Sequence, residues 1–431
     1  MQAIPYPHVK ETVYTEQLPN GLTVFILPKE GFQKTYATFS TKYGSIDNHF
    51  QVEGEPEKKV PDGIAHFLEH KMFEEPTGDI FSVFAAQGAS ANAFTSFGQT
   101  TYLFSATEHI RDNLTTLIDF VQNPYFTDGN VEKEKGIIGQ EIKMYQDNAD
   151  WRSYFGLIET MYHVHPVHID IAGTVESIGE ITKEMLYDCY HTFYHPSNMS
   201  LFVVGGVNPE EIMELIRSNQ AAKTYPQQGE IRRYFDPEPD AVKSPRKVAV
   251  LSVSLPKCLF GCKEPGQPLS GRDMLKRELG MKVLLDLLLS PSSAIYQKLY
   301  DEQLISDNFG SEYNIAEQYA FSVIGGDTKD PEKLLERVKE EIDQMKVKGI
   351  DRTDFDRSKK KKIGAFLRLL NSPEAIANEF TKYRFKGIEL FDILPVYENL
   401  TINDVSALLK DHFDWSRLAA SIVRSEADGR A

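Results

Sequence analysis

What this sequence lacks narrows its function before any motif is read. It has no uninterrupted run of about 18 apolar residues, so no membrane-spanning helix is expected. Only three cysteines occur in 431 residues, Cys189, Cys258 and Cys262. So sparse and odd a set argues against a disulfide framework and for a reducing compartment, with the cytoplasm as the expected location. Cys258 and Cys262 have no further Cys or His close by to complete a four-ligand metal set, and read as buried thiols. Residues 1–7 carry neither the basic cap nor the apolar core of a secretion signal, and none is expected. Positive charge is also scarce: 47 Lys and Arg stand against 63 Asp and Glu, a net charge of -16. That field repels phosphate, which argues against nucleic acid and anionic membranes as partners and leaves basic peptides compatible.

A chain of this length exceeds one ordinary core, and at roughly 100–200 residues per domain two or three domains are expected. Strand patterns fall at 22–27, 36–42 and 201–204, and residues 90–105 read as a hairpin turning at Gly98. Pro61-Asp62-Gly63 opens a helix with Asp62 as its N-cap. Further helical patterns cover 78–86, 107–122, 130–147, 151–162, 181–193 and 208–219. Residues 220–246 change character, with Tyr225-Pro226-Gln227-Gln228-Gly229 and Asp236-Pro237-Glu238-Pro239-Asp240 rich in proline and polar groups. They read as a linker between a first domain, 1–219, and a second, 247–431. Beyond it the plan recurs: a strand at 247–255, a helix at 274–289, part of a hairpin at 316–325, helices at 330–347, 353–370, 373–386 and 402–412, and a strand at 418–423. Residues 131–141 lie over 355–365 without a gap, which sets Glu134 against Ser358 and Glu141 against Ala365. The second half therefore reads as a duplicate of the first without its metal-binding residues.

Those residues begin with His66-Phe67-Leu68-Glu69-His70. Residues four apart share a helix face, so both imidazoles can reach one ion, and Glu69 lies beside it as a base. The order H-x-x-E-H is the reverse of the commoner zinc-peptidase H-E-x-x-H. A third ligand must come from elsewhere. Glu141 is the candidate, because Ile137, Ile138, Met144 and Tyr145 surround it with an apolar stripe in which an unpaired carboxylate is costly. Glu134, seven residues earlier on the same face, suits a supporting hydrogen bond to a ligand or to water. His163, His165 and His168 cluster too, but Pro166 interrupts them, and a loop is the expectation. Lys359-Lys360-Lys361-Lys362 reads as a solvated helix face.

With these residues in view, the chain resembles the insulinase/pitrilysin superfamily of zinc metallopeptidases, and most of all its processing-peptidase branch. The likeness lies in the run Gly63 to Phe73, in Tyr43-Gly44-Ser45, in Gly88-Ala89-Ser90-Ala91-Asn92-Ala93-Phe94-Thr95, in the spacing of Glu134 and Glu141, in His165-Pro166, in Gly173-Thr174, and in Tyr194-His195-Pro196-Ser197-Asn198-Met199. The resemblance implies an α+β chain of two homologous domains, each an antiparallel sheet flanked by helices. Together they would form half of a peptide-enclosing chamber. It implies one zinc ion per chain held by His66, His70 and Glu141, with Glu69 as the catalytic base and Glu134 as its acidic helper. It implies that Asn92, Ala93 and Phe94 lie on an edge strand that takes up peptide substrate by strand addition. The partner would be a second copy or a zinc-less homologous chain. A non-catalytic or scaffolding subunit is the alternative.

Overall fold

The computed structural model describes residues 1–76, 78–266 and 269–426. Its first sheet holds seven strands: β1 (Gln2–Tyr6), β2 (Glu11–Gln17), β3 (Thr23–Pro28), β4 (Thr35–Thr41), β5 (Ser90–Thr95), β6 (Thr100–Ala106) and β7 (Met199–Gly205). They pair in the order β1-β2-β3-β7-β4-β6-β5, and every pair is antiparallel except β3 with β7. The central strands β4 and β7 are buried along their whole length, as their apolar and hydroxyl-bearing sequences allow. β5 ends the sheet. It pairs only with β6 among the described residues, and its burial is broken and partial.

The second sheet holds β8 (Arg246–Val250), β9 (Lys257–Cys262), β10 (Gly310–Ile315), β11 (Ala320–Asp327) and β12 (Leu418–Arg424), in the order β8-β12-β9-β11-β10. Again one pair is parallel, β8 with β12. Taken along the chain, this is the β3-β7-β4-β6-β5 arrangement of the first sheet repeated. The strand expected at 247–255 ends at Val250, and a separate strand begins after Pro256, which has no N–H to give to a ladder.

The helices that matter for the site are α1 (Ile64–Met72), α2 (Asp128–Asp147), α3 (Ala149–Met161), α4 (Gly271–Leu289), α5 (Arg352–Leu369) and α6 (Pro373–Phe385). The pair α2 and α3 recurs as α5 and α6, each 13-residue second helix starting two to four residues after the first ends. The expected division at the linker does not describe the packing. One compact unit comprises Met1–Ile142, Asp170–Phe235 and Leu369–Phe385; the other comprises Lys143–Ile169, Asp236–Arg368 and the chain from Lys386 on. The segment 220–246 is itself divided, and its Ile231–Arg233 strand pairs with His49–Val52 in the first unit. So α3, from the first half of the sequence, lies on the second sheet, and α6, from the second half, lies on the first. An amphipathic pattern says that a helix is half-buried; it does not say against which sheet.

In the first unit α6 is held by aromatic packing. Phe380, 2% exposed, stacks on Phe202 of β7 with ring centroids 4.3 Å apart and meets Phe25 of β3 edge-on at 5.0 Å. Phe380→Ala is expected to cost about 3–5 kcal/mol, read as a lowered urea midpoint. An unchanged midpoint would mean that α6 does not anchor this sheet.

Candidate metal centre

The helix that carries the motif is fixed at its start by backbone contact. Gly63 caps α1 with φ 85°, and a Cβ there would come within 2.4 Å of the Ala172 carbonyl oxygen. Gly173, φ 73°, lies as close to Asp62: a Cβ on it would stand 2.5 Å from the Asp62 carbonyl oxygen. Ser177 Oγ donates to that same carbonyl at 2.8 Å. Asp62, expected as the N-cap, instead accepts from Asn48 Nδ2 at 2.7 Å, because the close glycine contact takes the capping position.

From this fixed start, His66 and His70 project from one face with ring centroids 4.5 Å apart. Glu141 of α2 faces both. Its carboxylate oxygens lie 3.7 Å from His66 Nε2 and 3.5 Å from His70 Nε2. These gaps are too long for good hydrogen bonds. Tetrahedral donors about 2.0–2.1 Å from a zinc ion stand roughly 3.4 Å apart, and the two gaps, measured to different Glu141 oxygens, are of that order. Among the described residues these three form the one group of His, Cys, Asp or Glu able to share an ion, with donor atoms within 4.8 Å of one another. Three protein donors leave a fourth corner open.

Glu134 accepts from His70 Nδ1 at 3.1 Å. An ionised acceptor there holds a proton on Nδ1, the tautomer in which Nε2 would be free to bind a metal. His66 is pushed down to about 4 by burial and by the charge of His70, so near neutral pH its ring is uncharged, as a ligand must be. Burial raises the Glu69 carboxyl, and the bond from Thr95 only partly offsets it. For His70, burial works downward, but Glu134 and the other nearby carboxylates outweigh it and the net direction is up. For Glu134, burial works upward and is outweighed by His70 and Lys71.

The five residues singled out from sequence, His66, Glu69, His70, Glu134 and Glu141, thus come together. The apolar stripe offered for Glu141 does not hold. Ile137 and Met144 are 46% and 60% exposed, and the buried line of α2 runs instead through Val131, Glu134, Ile138 and Ile142. Glu141 sits at the shoulder of that face, where the helix meets α1 rather than a hydrophobic core. Asn92, Ala93 and Phe94 lie on the edge strand β5, and Asn92 uses its carbonyl oxygen locally, accepting from the Ala93 N–H at 2.9 Å. The strand reaches the site one residue further on: Thr95 Oγ1 donates to Glu69 Oε2 at 2.6 Å. Sequence reasoning missed this bond, and it missed Lys71, fully buried beside Glu134. The histidine cluster is a folded loop: His165 Nδ1 accepts from the Val167 N–H, His168 Nδ1 lies 2.6 Å from the His165 carbonyl, and the N–H groups of 163–165 all donate to Glu238. The lysine run is not simply solvated, since Lys361 and Lys362 pair with buried Asp286 and Lys359 donates to the carbonyls of Glu398 and Leu400.

A helix bearing H-x-x-E-H, completed by a carboxylate from a second helix, defines a metallopeptidase-type centre of the inverted order. Comparison with known proteins gives the family: residues 55–175 match Insulinase (Peptidase family M16), and residues 180–362 match the Peptidase M16 inactive domain. The chain belongs to peptidase family M16. It is 52% identical to the uncharacterized zinc protease YmfH of Bacillus subtilis (strain 168), over 98% of this chain and 99% of that one. The crystal structure of an M16-like peptidase from Alicyclobacillus acidocaldarius superposes with a TM-score of 0.94 at 40% identity, covering 98% of this chain and all of the other. The periplasmic protease PqqL of Escherichia coli shares the fold at 17% identity and a TM-score of 0.78. The whole of this chain covers 49% of that one.

Purified protein is expected to bind zinc at about one ion per chain, and Glu141→Gln to lose most of that affinity in a chelator competition. Wild-type affinity in Glu141→Gln would remove it from the ligand set.

Proposed function

We propose that this chain is a zinc-dependent endopeptidase that cleaves peptides or unfolded segments, with His66, His70 and Glu141 as its zinc ligands. The observation that carries this reading is the convergence of three donors, all within 4.8 Å of one another, with Glu69 on the same helix turn; three protein donors would leave a zinc ion one corner for water. A closed structural site would have four protein ligands. A bound zinc ion supplies Lewis-acid polarisation of the attacking water and of the scissile carbonyl.

The chain's own groups supply the rest. Glu69 takes the proton of the attacking water and passes it to the leaving nitrogen. Its burial raises its proton affinity in the direction a base working near neutral pH requires. Thr95 holds one Glu69 oxygen, which leaves the other for that proton. Glu134 keeps His70 in its ligating tautomer. Peptide adds to the free edge of β5 through main-chain hydrogen bonds, a mode that tolerates many sequences, and Asn92, Ala93 and Phe94 line that edge. The net charge of -16 favours basic segments.

The working form pairs this half-length chain with a second copy or with a zinc-less homologous chain, so that two chains enclose the peptide. PqqL, at about twice this length, supports that reading by its size. The second reading, a non-catalytic subunit, draws on the match of 180–362 to the inactive domain. It is weaker, because the ligand and base positions lie outside that match and all are filled.

Glu69→Gln is expected to keep its zinc and lose at least a hundredfold in peptide turnover. Wild-type turnover in that variant would sink the base assignment. Thr95→Val, which removes a hydrogen bond to a charged group worth about 1.5–3 kcal/mol, is expected to lose roughly tenfold to a hundredfold in kcat with zinc content unchanged. Full activity would show that Thr95 does not orient the base.

A further inference from the structure

We propose that Lys71 is a positioning residue of the metal centre: its buried ammonium locks Glu134 onto the outer nitrogen of His70. The inference rests on the zinc reading above and adds a residue to it. Lys71 directly follows the second histidine of the motif, yet none of its side chain is exposed. A lysine so placed needs anionic partners to offset the loss of water. It has two: Glu74, just past the end of α1, within hydrogen-bond distance, and Glu134, whose Oε2 lies 3.6 Å from Nζ.

Glu134 is itself 7% exposed, so each of its oxygens needs a partner. Oε1 has His70 Nδ1 at 3.1 Å, and Oε2 faces the Lys71 ammonium at 3.6 Å, an ion pair too long for a hydrogen bond. Drawn at one end by a hydrogen bond and at the other by a buried cation, the carboxylate is disfavoured from turning away from the ring. Held only by His70, it would be left with a buried oxygen facing no cation and would turn to find one. Lys71, Glu134 and His70 thus form a continuous line from α1 to α2 and back to α1, ending on a ligand ring. Lys71 is tied in turn by Glu74, whose side chain is 34% exposed and carries the line out to solvent.

A positioning role and a purely electrostatic one differ in sign. An ammonium near a divalent cation repels it, so if charge alone mattered, loss of Lys71 would make the centre hold zinc more tightly. If Lys71 acts through Glu134, its loss frees the His70 ring and zinc leaves faster, by the roughly tenfold to hundredfold typical of a lost outer partner.

The test is the rate of zinc release into excess chelator, measured on the full-length chain for wild type, Lys71→Met, Glu134→Gln and the double variant, with thermal melts alongside. Release at least about tenfold faster from Lys71→Met, and no further acceleration when Lys71→Met is added to Glu134→Gln, supports the proposal. Unchanged or slower release from Lys71→Met overturns it, as does an equal acceleration in both backgrounds. Should Lys71→Met alone fail to fold, the double variant, in which no buried charge is orphaned, decides: release matching Glu134→Gln supports the proposal and a further tenfold acceleration overturns it. Wild-type protein that holds no zinc would overturn this inference and the zinc reading together. Zinc-holding wild type with an indifferent Lys71→Met overturns this inference alone.

Discussion

Three carboxylates gathered around two imidazoles repel one another, and burial strengthens the repulsion. Glu69 and Glu134 are each less than a tenth exposed, and Glu141 closes the group from a second helix. Water cannot relieve that charge, so the fold must supply cations. Lys71 supplies one positive charge from within, shared with Glu74 just past the end of α1, and the proposed divalent ion would supply two at the three-donor position. Lys71 alone leaves the group negative, and the metal would offset most of the remainder. The position of α1, the approach of α2 and the close glycine contact under α1 all serve to bring these charges together and hold them.

The same scaffold appears twice, and the second copy shows how the demand can be met without metal. Its sheet repeats the strand order and the single parallel pair of the first. Its helix α4 faces α5 as α1 faces α2. There the facing side chains are Asp286 on α4 and Lys361 and Lys362 on α5, at 2.8 and 3.2 Å. The buried acid there is more than offset by two lysines on one of its oxygens, and among the described residues no histidine joins it to gather an ion. The two halves thus share the helix pairing and differ in its chemistry: candidate ligands in one, ion pairs in the other.

How much of this could be read from the sequence follows from the range of each interaction. His66, Glu69 and His70 were legible because helical spacing alone puts them on one face. The seven-residue step from Glu134 to Glu141 was legible for the same reason. The reason first given for Glu141 was wrong, because an apolar stripe cannot tell a buried face from an exposed shoulder, and Ile137 and Met144 lie on the shoulder. Thr95 and Lys71 left no local signal: one is a threonine in a strand, the other a lysine in a helix, and only the tertiary neighbour gives either its role. The strands β1 and β2 went unread because their half-exposed, polar sequences lack a clean alternation. The exchange of α3 and α6 between the units was out of reach for a deeper reason. A helix pattern records how much surface is buried, and both sheets offered the same kind of surface.

The proposed ligands and the proposed peptide-binding edge sit on different kinds of element. His66, His70 and Glu141 stand on two helices held by backbone contact and packing, while β5 is the last strand of its sheet, with one side unpaired among the described residues. Rigid helices suit a ligand set whose donor spacing must be kept within a few tenths of an ångström. An open edge suits a partner held by main-chain bonds in many sequences. The two meet at the bond from Thr95 to Glu69. Thr95 is the last residue of β5 and pairs with Thr100, so its backbone belongs to the ladder a peptide would extend, while its hydroxyl belongs to the base. A peptide laid along that edge therefore lies beside the group that must take a proton, without any side chain of the peptide having to be recognised. In the proposed reading, recognition by backbone and catalysis by a fixed carboxylate meet at one threonine, so the scissile bond would be placed without reference to the peptide's side chains.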